Sequence, residues 1–169
     1  MADDPPRPLV EEAFDRLLGT LDQPMLVVTA RRGDERSGCL VGFAGQVSIR
    51  PARFLVCLSV QNRTYRVARH VDHLAVHFVP ESSADLARLF GGHTGDDVDK
   101  FACCTWHDGP HGLPILDACD NRFVGTVVER LPLGDHVGFL LEPDHVHHGA
   151  DGHQLDLHRA KRIDPGHPA

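Results

Sequence analysis

Residues 37–68, SGCLVGFAGQVSIRPARFLVCLSVQNRTYRVA, restrict the fold more than any other part of the chain. Two apolar runs, 38–49 and 54–60, flank a turn built on Arg50-Pro51. The connection is too short for a crossover helix, so the runs are expected to pair as antiparallel strands. The second run opens into Gln61-Asn62-Arg63-Thr64, ahead of a helix-like segment over 65–70. Gly38, Gly42 and Gly45 leave backbone bare where a flat group could lie, while Gln46, Ser48, Ser59, Asn62 and Thr64 supply neutral hydrogen-bonding groups and Arg63 a fixed cation. That combination suits a phosphate-bearing ligand; it equally suits bulges and a polar loop in an ordinary barrel.

The flanking sequence supports a mainly antiparallel sheet with a few short helices. Residues 9–21 repeat Leu9, Val10, Ala13, Phe14, Leu17, Leu18 and Leu21 at helical spacing, which predicts a short amphipathic helix. Strands are expected over 25–30, 74–79, 121–131 and 136–142, with a charged hairpin turn over 31–36 and a second turn at Gly134-Asp135. Ser82 or Ser83 can cap a helix that buries Leu86, Leu89 and Phe90 and stops at Gly91-Gly92. The acidic, glycine-rich segment that follows is expected to form a mobile flap, with Phe101 anchored against it. From His145 onward the chain turns polar, with one last edge strand over 155–158. Residues 1–8 read as a disordered N-terminal lead, 9–160 as a single domain and 161–169 as a frayed tail.

Bulk properties exclude several classes. At 169 residues, 41% hydrophobic and 24% charged, the chain can bury a core of its own. A formal charge of −7 gives it no electrostatic reason to bind nucleic acid or an anionic membrane. Asp3, Asp4 and several prolines stand where a secretory leader needs a cationic segment and an apolar core, and no apolar run reaches membrane-spanning length. Five cysteines, an odd number with no C-x-x-C pair, fit free thiols in a reducing compartment, so a cytoplasmic location is expected. Thirteen histidines raise the question of a metal. His145, His147 and His148 cluster and His153 follows, but no nearby Cys or Glu completes a ligand set, so the segment reads as a solvated loop and no metal is expected.

Several short motifs occur in order over residues 23–142: the glycines and turn already described, with Ser48-Ile49-Arg50-Pro51-Ala52; Asp99-Lys100-Phe101; Gly112-Leu113-Pro114-Ile115-Leu116; and Gly134-Asp135-His136. In this order and at these distances they resemble the flavin reductase family with the FMN-binding split-barrel fold. The turn departs from the family's S-x-D-P-P at Arg50 and Ala52, and Leu40 and Gly42 stand where the family often has Thr and then Ser or Asn. Leu141-Glu142-Pro143 replaces the i-G-e-V that follows the family's G-D-H. The resemblance implies an antiparallel split β-barrel, a homodimer with flavin sites shared between subunits, and an NAD(P)H:flavin oxidoreductase using FMN, with FAD also accommodated and NADH or NADPH as co-substrate. Contacts to the ring and ribityl chain would fall to Leu40, Val41, Gly42, Gln46, Val47 and Ser48, and the phosphate to Ser59, Asn62, Arg63 and Thr64. Lys100 and Phe101 would lie near the flavin or the neighbouring subunit, and His136 near the nicotinamide or the outer edge of the flavin. No G-x-G-x-x-G is present, so a nicotinamide nucleotide would bind over the flavin itself. Reduced flavin would then pass to a partner monooxygenase. A flavin or haem protein that binds or senses without turnover, and a deazaflavin enzyme of the same fold, are the alternatives the same residues leave open.

Overall fold

The structure, a computed structural model, describes residues 7–149 and 151–160. Most of the expected lead and all of the expected tail over 161–169 lie outside the described residues. Helix α1, Arg7–Leu18, opens the described chain. Its apolar positions Leu9, Val10, Phe14, Leu17 and Leu18 are exposed, as is Leu21 beyond it. Strands β1, Leu26–Arg32, and β2, Glu35–Val41, form a hairpin closed at Gly33, which takes the left-handed φ of 59° the turn requires. Strands β3, Ala44–Ile49, and β4, Ala52–Ser59, form the next hairpin around a cis Arg50–Pro51 bond. Helix α2, Arg63–Ala68, β5, His73–Phe78, and α3, Ala84–Gly92, follow. A two-stranded ribbon of β6, Trp106–Asp108, and β7, Pro114–Leu116, precedes the long hairpin of β8, Arg122–Pro132, and β9, His136–His147, and the single turn α4, Leu157–Ala160, ends the described chain.

Seven strands make one fully antiparallel sheet in the order β2-β1-β5-β8-β9-β4-β3. β2 and β3 are its two edges, yet only Gly42 and Phe43 separate them in the chain. The sheet must therefore roll until its edges meet, and the Cys57 amide carries the β3–β4 ladder up to the join, donating to the Phe43 carbonyl at 2.9 Å. This is the split barrel. β1 shows how the core sits on both sides of the wall. Leu26, Val28 and Ala30 point into the barrel with Val56, Leu58, Val76 and Phe139, while Met25 and Val27 point outward beneath α3 with Phe90, Phe101 and Leu116. A strand covered on both faces reads as a continuous apolar run, which is why its sequence was unambiguous.

Four expectations are corrected. The run 38–49 is two strands at opposite sheet edges, because the chain leaves β1 at Val41 and joins β4 from Ala44. The last edge strand over 155–158 is instead two isolated bridges, Pro24 with Asp156 and Pro80 with Gln154, followed by α4. The sheet continues past His145, since β9 pairs with Arg122–Val124 of β8 as far as His147. Neither serine caps α3: a 3₁₀ turn, Glu81–Ser83, precedes it and Ser83 makes no side-chain capping bond.

Candidate functional site

The barrel seam opens a cavity of about 240 Å³. Its floor is the end of β2, Leu40, Val41 and Gly42; its walls are Ser59 at the end of β4, Asn62 at the start of α2 and His136 at the start of β9. Two turns bring these ends together. The Val60 amide donates to the Asp135 carbonyl at 3.0 Å, and the Leu133 amide to the His136 carbonyl at 2.9 Å. The His136 ring packs edge-on against Phe43, centroids 5.1 Å apart, and its Nδ1 lies 2.8 Å from Asp135 Oδ1. That hydrogen bond holds the Asp135 carboxyl below the usual carboxylate range and fixes the ring's orientation.

Gly42 distinguishes this cavity from a packing defect. A Cβ there would meet only the Met25 thioether, at an ordinary 3.8 Å, and the residue has no left-handed φ. Nothing in the protein's own packing requires glycine at 42, and a side chain would enter the cavity. Gly38 is the opposite case: a Cβ would stand 2.7 Å from a Phe90 ring carbon, so the flat group lying on that glycine is the protein's own phenylalanine.

The remaining candidate residues lie elsewhere. Thr64 is fully buried, its hydroxyl 2.9 Å from that of Ser37, and its amide donates to Asn62 Oδ1 at 2.8 Å, so Asn62 and Thr64 together build the start of α2. Arg63 turns away from the seam, to the Gly95 carbonyl and to Glu35 Oε1 at 3.3 Å. It lines a second cavity of about 330 Å³ with Glu35, Arg36, Asp96, Asp99, Lys100 and Phe101. The glycine-rich segment expected to be a flap borders this cavity, with Asp96 paired to Arg66 at 2.6 Å and Asp99 to Arg36 at 3.2 Å. Lys100 is buried, its Nζ donating to the carbonyls of Phe90 at 2.9 Å and Gly38 at 3.2 Å, and burial lowers its pKa. Phe101 packs between Phe90 and Trp106. Gln46, Val47 and Ser48 sit on edge strand β3 at a register shift; Gln46 donates to the Ser48 carbonyl at 3.1 Å and borders a third cleft with Phe54, Phe78 and Phe123. Sequence reasoning missed Phe43 and Cys39. Phe43 is the second residue of the join, and Cys39 is a cavity-lining thiol pushed up to about 11 by burial, too high to act as a nucleophile.

A rolled antiparallel sheet with a small, mostly apolar cavity at its seam defines a split-barrel ligand-binding protein. Residues 18–164 match the family described as Flavin reductase like domain, and the chain belongs to that family. It is 25% identical over 129 residues to an FMN reductase (NADH) RutF of Stutzerimonas stutzeri, covering 76% of this chain and 74% of that protein. To a 4-hydroxyphenylacetate 3-monooxygenase reductase component of Pseudomonas aeruginosa it is 24% identical over 137 residues, covering 80% of this chain and 81% of the other. Among solved structures, an NADH:FAD oxidoreductase of Streptomyces globisporus superposes with a TM-score of 0.80 at 21% identity, over 90% of this chain and 91% of that one, which shows the shared fold.

Proposed function

We propose that this protein is an NAD(P)H:flavin oxidoreductase that uses FMN, or FAD, and draws its hydride from NADH or NADPH. The observation that carries the reading is the seam cavity, where Leu40, Val41, Gly42, Ser59, Asn62 and His136 converge in a chain of the flavin reductase family. Bound flavin supplies the hydride-accepting chemistry itself, so the protein needs no acid, base or nucleophile of its own. Its residues have three tasks. The bare backbone at Val41 and Gly42 lets a flat ring lie close; Ser59, Asn62 and Arg63 hold the ribityl phosphate, with Thr64 and Ser37 fixing the turn that presents them; His136, held by Asp135 and Phe43, positions the nicotinamide. To reach a phosphate, Arg63 would leave both the Gly95 carbonyl and Glu35, the latter a solvent-open pair worth only ~0–1 kcal/mol.

The cavity is smaller than the ~300–1,000 Å³ of typical ligand sites. A flavin would therefore extend over the exposed side chains beside it, Phe43 and Val60, and be covered from a second subunit. A homodimer that shares its sites follows. The two named relatives are reductases, one of them a monooxygenase component, which supports release of reduced flavin to a monooxygenase. Among the described residues no helix is long and apolar enough to cross a membrane, and a cytoplasmic location is proposed with the reductase.

The test is anaerobic: FMN is added to the purified protein, then NADH, and the visible spectrum is followed. Uptake of FMN and its bleaching by NADH are expected. In His136→Ala, kcat/KM for NADH should fall by roughly tenfold or more, a larger loss than that in FMN affinity, as for removal of a contact that positions the nicotinamide. Flavin bound but never reduced would leave a binding protein and remove the reductase reading.

A further inference from the structure

Away from the seam, His73, His111 and Asp144 bring one ligand atom each within 4.8 Å of one another. We propose that they form a binding site for one divalent transition-metal ion, of which Zn²⁺ fits best. His111 Nε2 stands 3.3 Å from Asp144 Oδ2, and His73 Nε2 stands 4.0 Å from the same oxygen. Donors around a tetrahedral zinc with bonds of ~2.0–2.1 Å lie ~3.3 Å apart, so the His111–Asp144 edge of the tetrahedron is already made and the His73–Asp144 edge must shorten by ~0.7 Å. The imidazoles of His73 and His111 are stacked, centroids 3.6 Å apart and planes within 12°, so the two rings must splay for both to aim a lone pair at one ion. The His145 ring, 5.7 Å from that of His111, is a nearby fourth donor; otherwise that position goes to solvent. All three side chains are partly open, at 28–38% exposure, so an ion can enter.

Two separate departures from regular backbone assemble this cluster. Asp144 is the extra residue of a bulge: Val124 of β8 pairs with His145 and Gly125 with Pro143, so Asp144 has no partner across the hairpin. Bulges of this kind redirect a side chain. Its Oδ2 also accepts from the Thr126 hydroxyl at 3.3 Å, and Thr126 pairs with His73 in the register of β5 and β8. His111 sits between Pro110 and Gly112 with φ 57°, a left-handed conformation that costs a β-carbon-bearing residue energy. Arg31 anchors that turn, donating to the Gly112 carbonyl at 3.2 Å and pairing with Asp108 at 2.6 Å. Two imidazoles and a carboxylate are a ligand set suited to zinc and its neighbours, with the threonine hydroxyl orienting the carboxylate as metal sites require. The ion would fasten the β6–β7 turn to the main sheet.

The proposal does not depend on flavin chemistry, and neither does its test. The full chain, free of any affinity tag, is stripped with a chelator and titrated with Zn²⁺ by calorimetry and with Co²⁺ by visible absorption. One equivalent of Zn²⁺ should bind and raise the thermal midpoint, and Co²⁺ should give the intense bands of a four-coordinate ion. Asp144→Asn and His111→Gln, each checked for a native circular dichroism spectrum, should weaken Zn²⁺ binding by ~tenfold or more. A His147→Ala/His148→Ala variant should bind as the parent does. Failure of the parent to bind Zn²⁺ overturns the proposal. So does binding that survives in Asp144→Asn and His111→Gln but is lost in the His147/His148 variant, which would assign the metal to the histidine-rich segment.

Discussion

At the scale of single residues, two glycines four positions apart perform different work. Gly38 is demanded by Phe90, whose ring occupies the space of its missing side chain, so Gly38→Ala should destabilise the fold by ~1–3 kcal/mol through overpacking. Gly42 is demanded by nothing inside the protein. Gly42→Val should leave the urea midpoint close to that of the parent while weakening FMN binding at least ~tenfold, because the added methyls enter the seam cavity. Equal loss of stability in both variants, with flavin affinity intact, would remove the seam as the flavin site. Read from the sequence, Gly38, Gly42 and Gly45 look alike; only the position of Phe90, some fifty residues on, tells the first from the second. The roles of Arg63 and Lys100 were illegible for a related reason. A cation's sequence neighbours do not reveal whether distant carbonyls, such as those of Gly95 or of Phe90 and Gly38, have already taken its hydrogens.

At the scale of elements, the strands easiest to read were those with both faces covered. β1 and β5 bury most of their residues, and their apolar runs left no other reading. The end of β9 was hidden because residues 144–147 are exposed: polar side chains there say nothing of the backbone pairing beneath them. The break at Gly42 and Phe43 was hidden because both flanking segments are strand. β5 also carries the most telling polar group of the core. His77 is fully buried, its Nδ1 3.1 Å from the Val27 carbonyl and its Nε2 accepting from the Leu116 amide at 3.1 Å, which fixes the neutral tautomer between two strands. Burial lowers its pKa from 6.5 to about 4. The unfolded chain takes up this proton near pH 6.5 and the folded protein only near 4, so as pH falls through that window the unfolded state gains protons first. Stability present above pH 6.5 is lost by up to ~3 kcal/mol on reaching about 4, then levels. Urea unfolding of the parent and of His77→Gln at a series of pH values should show a shallower fall in the variant. Parallel curves would mean that His77 does not stay neutral in the fold.

At the scale of the whole molecule, the edge strand β3 and the join beside it expose Ile49 at 78%, Phe43 at 60% and Val47 at 54%. Large apolar side chains grouped on one sheet edge invite a partner. If that partner is a second copy, Phe43→Asp/Ile49→Asp should sediment as a monomer and lose FMN affinity, whereas the parent sediments as a dimer. A monomeric parent that still binds and reduces flavin would separate the site from the assembly. The family was legible from collinear short motifs, yet the cavity was only half legible, because its walls come from four strand and helix ends whose meeting depends on how the sheet rolls. That rolling has a further consequence. β2 and β3 each pair on one side only, so along the join the main chain carries hydrogen-bonding capacity the sheet does not consume. Every residue but proline brings the same amide and carbonyl. A ligand held along that join would be gripped in this common alphabet, so the spacing of the strand ends around the fold, more than the side chain at Leu40, would decide what fits.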